Sequence, residues 1–165
     1  LKGLIAISKL KFPTGTCGRD IDAFARAPLW EGGQDFAHGT GHGVGHYLSV
    51  HEGPHRISKF SNVAFKEGMI VSNEPGFYHE GKFGIRIENL VLVQKSEMEP
   101  SNSFLEFETL SFVPIDQRLI SVKLLNEHEI EWINNYHLQC WEKVHNKVDT
   151  KTQAWLENMT KPIEK

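Results

Sequence analysis

The chain has 165 residues, 39% of them apolar, enough for one globular domain with a core and too few to expect two. Eighteen Lys and Arg against twenty-one Asp and Glu leave a formal charge of −3 with no dense basic run, which excludes a phosphate-tracking nucleic-acid surface. The longest apolar stretches are interrupted by charge, as Ile85 to Val93 is by Arg86 and Glu88, so nothing approaches the roughly 20 apolar residues of a membrane span.

In chain order, Leu1, Leu4, Ile5 and Ile7 to Leu10 read as an apolar helix face. No Ser, Thr, Asp or Asn cap precedes it, so the chain is expected to start inside an element. The stretch lacks a basic n-region, a sustained apolar h-region and a small-residue cleavage site, so it is not a signal peptide. Pro13, Gly15 and Gly18 mark a loop, after which Asp20 is placed as the cap of a helix running through Asp22, Phe24, Ala25 and Leu29. From Glu31 to Gly45 glycine recurs too often for any helix, and the backbone there must turn or be approached closely.

Short β-type segments follow: YLSVH from Tyr47, MIVSNEP from Met69, GFYHE from Gly76, and IRIENLVLV from Ile85. Gly-Pro, Glu-Gly and Gly-Lys turns separate them, which predicts an antiparallel sheet. After a polar link from Lys95 to Ser103, the run from Phe107 to Pro114 adds a further strand. Asn126 and Glu129 have capping-box spacing at the head of a helix to Val144, with Ile130, Ile133, Leu138 and Trp141 as its apolar positions. A weaker helix is expected from Thr152 to Met159, before Pro162. The two cysteines, Cys17 and Cys140, form no framework or CxxC pair, which suits a reducing, cytoplasmic setting.

His38 and His42 stand four apart, as in helical zinc motifs, but Gly39 and Gly41 exclude the helix. The alternative is a backbone that runs close to a ligand, with His38, His42 and His51 turned into one cleft. Glu74 sits where Pro75 and Gly76 break a strand. Glu88 sits in an apolar strand, where a carboxylate is costly unless neutralised, by Arg86 or by a metal. One histidine and two glutamates suit a hard or borderline divalent ion, with Mn²⁺, Co²⁺ and Zn²⁺ all compatible. His46, His55 and His79, and His128, His137 and His145 on the terminal helical stretch, have no spacing that asks for a metal.

The string HGTGHGVGHYLSVHEGPHRIS, followed by GMIVSNEPGFYHEGKFGIRIENLVLV, closely resembles aminopeptidase P, the Xaa-Pro aminopeptidases of the pita-bread metallopeptidase fold. The resemblance extends through FPTGTCGRDIDAFARAPLW upstream and FLEFETLSFVPID, EWINNYH and WLENMTKPI downstream, so it covers nearly the whole chain. It implies an α+β fold, a curved antiparallel sheet with helices on one face, with the N-terminal part missing. Residues 1–94 would be the C-terminal part of the catalytic domain, and residues 95–165 a C-terminal extension packed on the same unit.

The resemblance also implies a metal-dependent aminopeptidase that removes an N-terminal residue preceding proline from proline-containing peptides. Two ions, most commonly Mn²⁺, are held in the family by two aspartates, one histidine and two glutamates, and the matching positions are His42, Glu74 and Glu88. His38 and His51 match histidines that position substrate and stabilise the tetrahedral intermediate, and Glu74 matches a proton shuttle. Arg86 and Tyr78 match positions near the metal centre. Asp20, Asp22 and Asp35 do not match the two aspartate ligands, so this chain is expected to hold one weak metal site or none, and to be inactive alone. It would then need the missing N-terminal part as a partner, and the complete enzyme is expected to be a homodimer. The competing readings are a non-catalytic binding or scaffold module and a decaying gene remnant.

Overall fold

A computed structural model describes residues 1–47, 49–97 and 103–164. It divides into two units, Leu1–Ser111 and Phe112–Lys165. In the first unit, helix α1 (Lys2–Ser8) leads through strand β1 (Lys11–Pro13) to helix α2 (Gly18–Trp30). Strands β2 (Gly41–His42), β3 (Arg56–Ile57), β4 (Ile70–Asn73), β5 (Gly76–His79), β6 (Phe83–Arg86), β7 (Asn89–Lys95) and β8 (Phe104–Thr109) follow. The expected α+β organisation is present, with an antiparallel sheet in the order β1-β8-β7-β4 and two small ribbons, β2–β3 and β5–β6.

The core forms where the inward residues of the sheet meet the helices. Along β7 burial alternates, with Val91 and Val93 fully enclosed beside Val71 of β4 and Phe107 of β8. Ile7 of α1 and Ile21 and Ala25 of α2 close over them, and Phe12, Phe65 and Phe107 pack ring against ring. Each fully buried aliphatic side chain contributes about 1.5–3 kcal/mol. The two helices approach so closely that a Cβ at Gly3 would collide with the carbonyl of Ala25.

Four sequence expectations change in this unit. Asp20 is not the cap of α2: it stands at the third helical position and accepts the Cys17 N–H at 2.7 Å, with Cys17 as the N-cap. The segment from Tyr47 to His51 is not a strand at its described residues, because the chain folds back on itself through Gly45 N–H to Ser49 O and Glu52 N–H to Gly43 O. The run from Ile85 to Val93 is two strands, because β6 pairs with β5 and β7 pairs with β4. The last sheet strand begins at Phe104, earlier than the predicted Phe107, and part of the predicted link, residues 98–102, lies outside the described residues.

The second unit contains α3 (Glu127–Val144) and α4 (Thr150–Met159), with short 3₁₀ turns around them. The Asn126–Glu129 capping box is formed, Asn126 Oδ1 accepting from Glu129 N–H at 2.9 Å and Glu129 Oε2 from Asn126 N–H at 2.8 Å. The buried stripe of α3 is Ile130, Ile133, Tyr136, His137 and Cys140. Leu138, expected among the buried positions, is 52% exposed, since five residues on from Ile133 place it about 140° round the helix. Asp149 caps α4 by accepting from Lys151 N–H and Thr152 N–H, which starts that helix at Thr150 rather than Thr152. His137, fully buried, accepts the Ile115 N–H on Nε2 at 3.1 Å, and burial holds its imidazole below the usual histidine range.

Gly3→Ala should lower stability by about 1–3 kcal/mol through overpacking, read as an earlier chemical-denaturation midpoint. Gly32→Ala, where an added Cβ meets only ordinary contact, should leave that midpoint in place. The second unit should also lose stability in mild acid. The unfolded chain takes up a proton on His137 near pH 6.5 while the folded chain resists it, so stability is complete above that value and falls as pH drops toward the lower folded midpoint. Tryptophan fluorescence melts between pH 7.5 and about 5 should show this, and His137→Gln should flatten the dependence.

Candidate metal centre

Glu74 and Glu88 are brought together by a matched interruption in one long hairpin. Asn73 pairs with Asn89 in the sheet and Gly76 pairs with Arg86 in the outer ribbon, so Glu74–Pro75 on one side faces Ile87–Glu88 on the other with no ladder between them. Pro75 has no N–H to donate, and the ladder lapses at this level before resuming in the same register. Glu88 therefore sits in the break, not inside a strand.

His42 arrives from the other side. Strand β2 lies against β4 so closely that a Cβ at Gly41 would collide with the Ser72 carbonyl, and Val44 N–H reaches Ile70 O at 3.0 Å. Ser72 Oγ accepts the His42 N–H at 2.9 Å and donates to Glu74 Oε1 at 2.8 Å. One hydroxyl thus sets both the backbone of His42 and the carboxylate of Glu74, and Ser72 carried no sequence signal beyond its place in the strand.

One ligand atom each from His42, Glu74 and Glu88 lies within 4.8 Å of the others. The ring of His42 turns Nδ1 to its own neighbour's carbonyl, Gly43 O, at 3.0 Å, so Nδ1 carries the proton in the neutral ring. Its Nε2 then presents a lone pair to Glu74 Oε1 at 3.1 Å. Two acceptors at that distance repel unless a second proton or a cation lies between them. An imidazole nitrogen with two carboxylates is a donor set that fits a divalent cation of hard or borderline type.

Arg86 does not neutralise Glu88 by a direct bond. It donates through Nη1 to Glu74 Oε2 at 2.8 Å and through Nε to the Tyr78 hydroxyl at 2.9 Å. Glu88 is exposed at the surface, yet partial desolvation and the nearby charge of Glu74 raise its carboxyl above the usual range, against the pull of His42 and Arg86.

His38 and His51 stand beside this group without belonging to it. His38 Nδ1 donates to Gly39 O at 2.7 Å, which leaves Nε2 to accept from the Tyr78 hydroxyl at 2.7 Å, so Arg86, Tyr78 and His38 form one hydrogen-bonded chain. The His51 ring lies 4.1 Å from that of His42, centre to centre. His38, His42, His51, Glu74 and Arg86 line an open cleft of about 830 Å³. The other histidines lie outside the group. His55 is buried and donates from Nε2 to Ile70 O at 2.7 Å, while His79 stacks on Phe83 and His145 on Trp141.

Residues 1–95 match the model of metallopeptidase family M24, and residues 103–163 match the C-terminal region of peptidase M24. The chain is 50% identical to a probable Xaa-Pro aminopeptidase P of Laccaria bicolor, across 99% of this chain and 27% of that protein. It is 48% identical to aminopeptidase P2 of Arabidopsis thaliana, across 100% of this chain and 24% of that one. Among solved structures it resembles X-prolyl aminopeptidase from Caenorhabditis elegans, a cytosolic enzyme with a di-nuclear active site. That match has a TM-score of 0.90 and 40% identity, and covers 98% of this chain and 27% of that one. The likeness agrees with the expected pita-bread architecture, and the chain spans about a quarter of the relatives it matches. With matched domain models over most of its length, the chain belongs to metallopeptidase family M24.

Proposed function

We propose that this chain forms the His42, Glu74 and Glu88 side of a di-nuclear metal centre in an Xaa-Pro aminopeptidase, which removes the residue preceding proline from a peptide N-terminus. The observation that carries this reading is His42 Nε2 set against Glu74 Oε1 at 3.1 Å while Nδ1 faces Gly43 O, with Glu88 completing the group. Mn²⁺ is the proposed ion, and the remaining carboxylate ligands are proposed to lie in the part of the relatives that this chain does not match. Bound there, the ions would polarise the scissile carbonyl and lower the pKa of water.

The chain's own residues divide the remaining work. Glu74, held by Ser72 and Arg86, is placed to take a proton from the attacking water and return it to the leaving nitrogen. His51, beside His42 at the cleft wall, is proposed to orient the peptide and stabilise charge developing on its carbonyl oxygen, and His38, whose two ring nitrogens are engaged by Gly39 O and the Tyr78 hydroxyl, is proposed to position substrate through Tyr78. Residues 1–94 are proposed as the catalytic part and 95–165 as the extension, with β8 joining the sheet from beyond that boundary. A homodimeric complete enzyme is also proposed. A cytoplasmic site of action is proposed because the Caenorhabditis elegans relative is cytosolic and, among the described residues, no helix is long and apolar enough to cross a membrane.

Calorimetric titration of the chain with Mn²⁺ should give one weak site. Ser72→Ala should weaken it about 10- to 100-fold, the usual cost of removing a residue that orients a ligand, and His42→Ala or Glu88→Ala should abolish it. Release of the N-terminal residue from an Arg-Pro-Pro peptide with Mn²⁺ should be absent for the chain alone. It should appear when the unmatched part of the Laccaria bicolor relative is supplied with the chain, and be lost again in Glu88→Ala. Turnover by the chain alone would show that three ligands suffice, and silence of the mixture despite metal binding would count against the peptidase reading.

A further inference from the structure

We propose that Arg26, anchored by Asp22, is a positioning residue that fixes His38 and, through Thr40, the backbone of Glu74. The segment between α2 and β2 carries Gly32, Gly33 and Gly39, and β2 itself opens on Gly41; a glycine-rich backbone has little conformational preference of its own. Something outside the segment must hold it where His38 and His42 reach one cleft.

The guanidinium of Arg26 does so at three successive points. It donates to Asp35 Oδ1 at 2.8 Å, to the Phe36 carbonyl at 2.7 Å and to the His38 carbonyl at 2.8 Å. Its plane lies over the Phe36 ring, 4.0 Å from the centroid, and that ring lies 4.8 Å from the ring of His38. His38 is therefore fixed at its backbone by a hydrogen bond and at its ring by a stack that begins at the same side chain.

Asp22 orients the guanidinium and opens a second arm. Its Oδ2 accepts from Arg26 Nε at 2.7 Å, while its Oδ1 accepts the Thr40 hydroxyl at 2.6 Å. The Thr40 carbonyl in turn accepts the Glu74 N–H at 2.8 Å. Asp22 is 3% and Arg26 5% exposed, so the pair itself is withdrawn from water, while the Asp35 end of the fork reaches solvent. A buried ion pair is weak evidence for stability, since apolar side chains of the same volume often serve as well. Here the planar fork reaches three points of one loop, which a lysine ammonium cannot reproduce.

The role rests on His38 and Glu74 acting as proposed above, yet its test needs neither metal nor turnover, so the two readings can fail separately. Nitrogen-15 NMR of the full chain, with His38 assigned through His38→Gln, should show a single tautomer protonated on Nδ1. In Arg26→Lys and in Phe36→Leu, the His38 signals should move toward a mixture of tautomers and the Nδ1 proton should exchange with solvent about tenfold faster, the scale of one lost hydrogen bond. In Thr40→Val the Glu74 amide should exchange faster by a similar factor, with His38 unchanged.

A tautomer mixture already present in the wild type would overturn the proposal. So would unaltered His38 and Glu74 signals in variants that merely melt earlier, since that is the signature of a purely structural pair. If Arg26→Lys does not fold, Phe36→Leu and Thr40→Val, which leave the ion pair in place, decide the question in the same way.

Discussion

The interruption shared by both arms of the hairpin between residues 70 and 95 is the constraint on which the rest of the site depends. Both halves of the hairpin keep one register, so residues 74 and 88 stand opposite each other and their side chains reach the same face. Pro75 cannot donate, the ladder is open at this level, and the two carboxylates lie within ligand distance of His42. Partial desolvation and the neighbouring charge of Glu74 both raise the Glu88 carboxyl above its usual range. A cation bound between the two carboxylates removes their repulsion.

Around this break the chain supplies a frame of backbone contacts, and these explain the glycines. Gly41 lets β2 lie against the Ser72 carbonyl, and the hydroxyl of Ser72 then ties His42 to Glu74. From the opposite side, α2 offers the buried pair Asp22 and Arg26, whose bonds end on the segment carrying His38. Helix α2 is itself held in place by its close approach to α1 and by the core formed from Ile21, Ala25, Val71 and Val91. Sheet, loop and helix thus meet at the cleft, and each is fixed before any ligand arrives. That preorganisation is what electrostatic catalysis requires.

Much of this was legible along the chain. The capping box of Asn126 and Glu129, the glycine-rich segment that cannot be helical, and the antiparallel strand pattern all follow from local chemistry, and the structure contains each of them. The grouping of His42 with Glu74 and Glu88 was available through resemblance, while spacing alone favoured an Arg86 ion pair as the explanation for Glu88. Other features had no local signal. Nothing around Ser72, Thr40, Asp22 or Arg26 distinguishes them from ordinary strand or helix residues. The strand expected from Tyr47 to His51 failed because loop closure by Gly43 and Gly45 outweighs a β-type composition.

The sequence by itself determined the family, the element types with clear periodicity, and the residue kinds able to hold a divalent ion, because these depend on neighbours within a few positions of one another. Only the tertiary structure decided that Arg86 bonds Glu74 and Tyr78 and makes no direct bond to Glu88, that the strand holding Glu88 is split, and that one arginine on α2 grips the loop of His38. The bonds among them join residues 8 to 12 positions apart. They are set by how the sheet, the ribbons and α2 pack together, which no local pattern encodes.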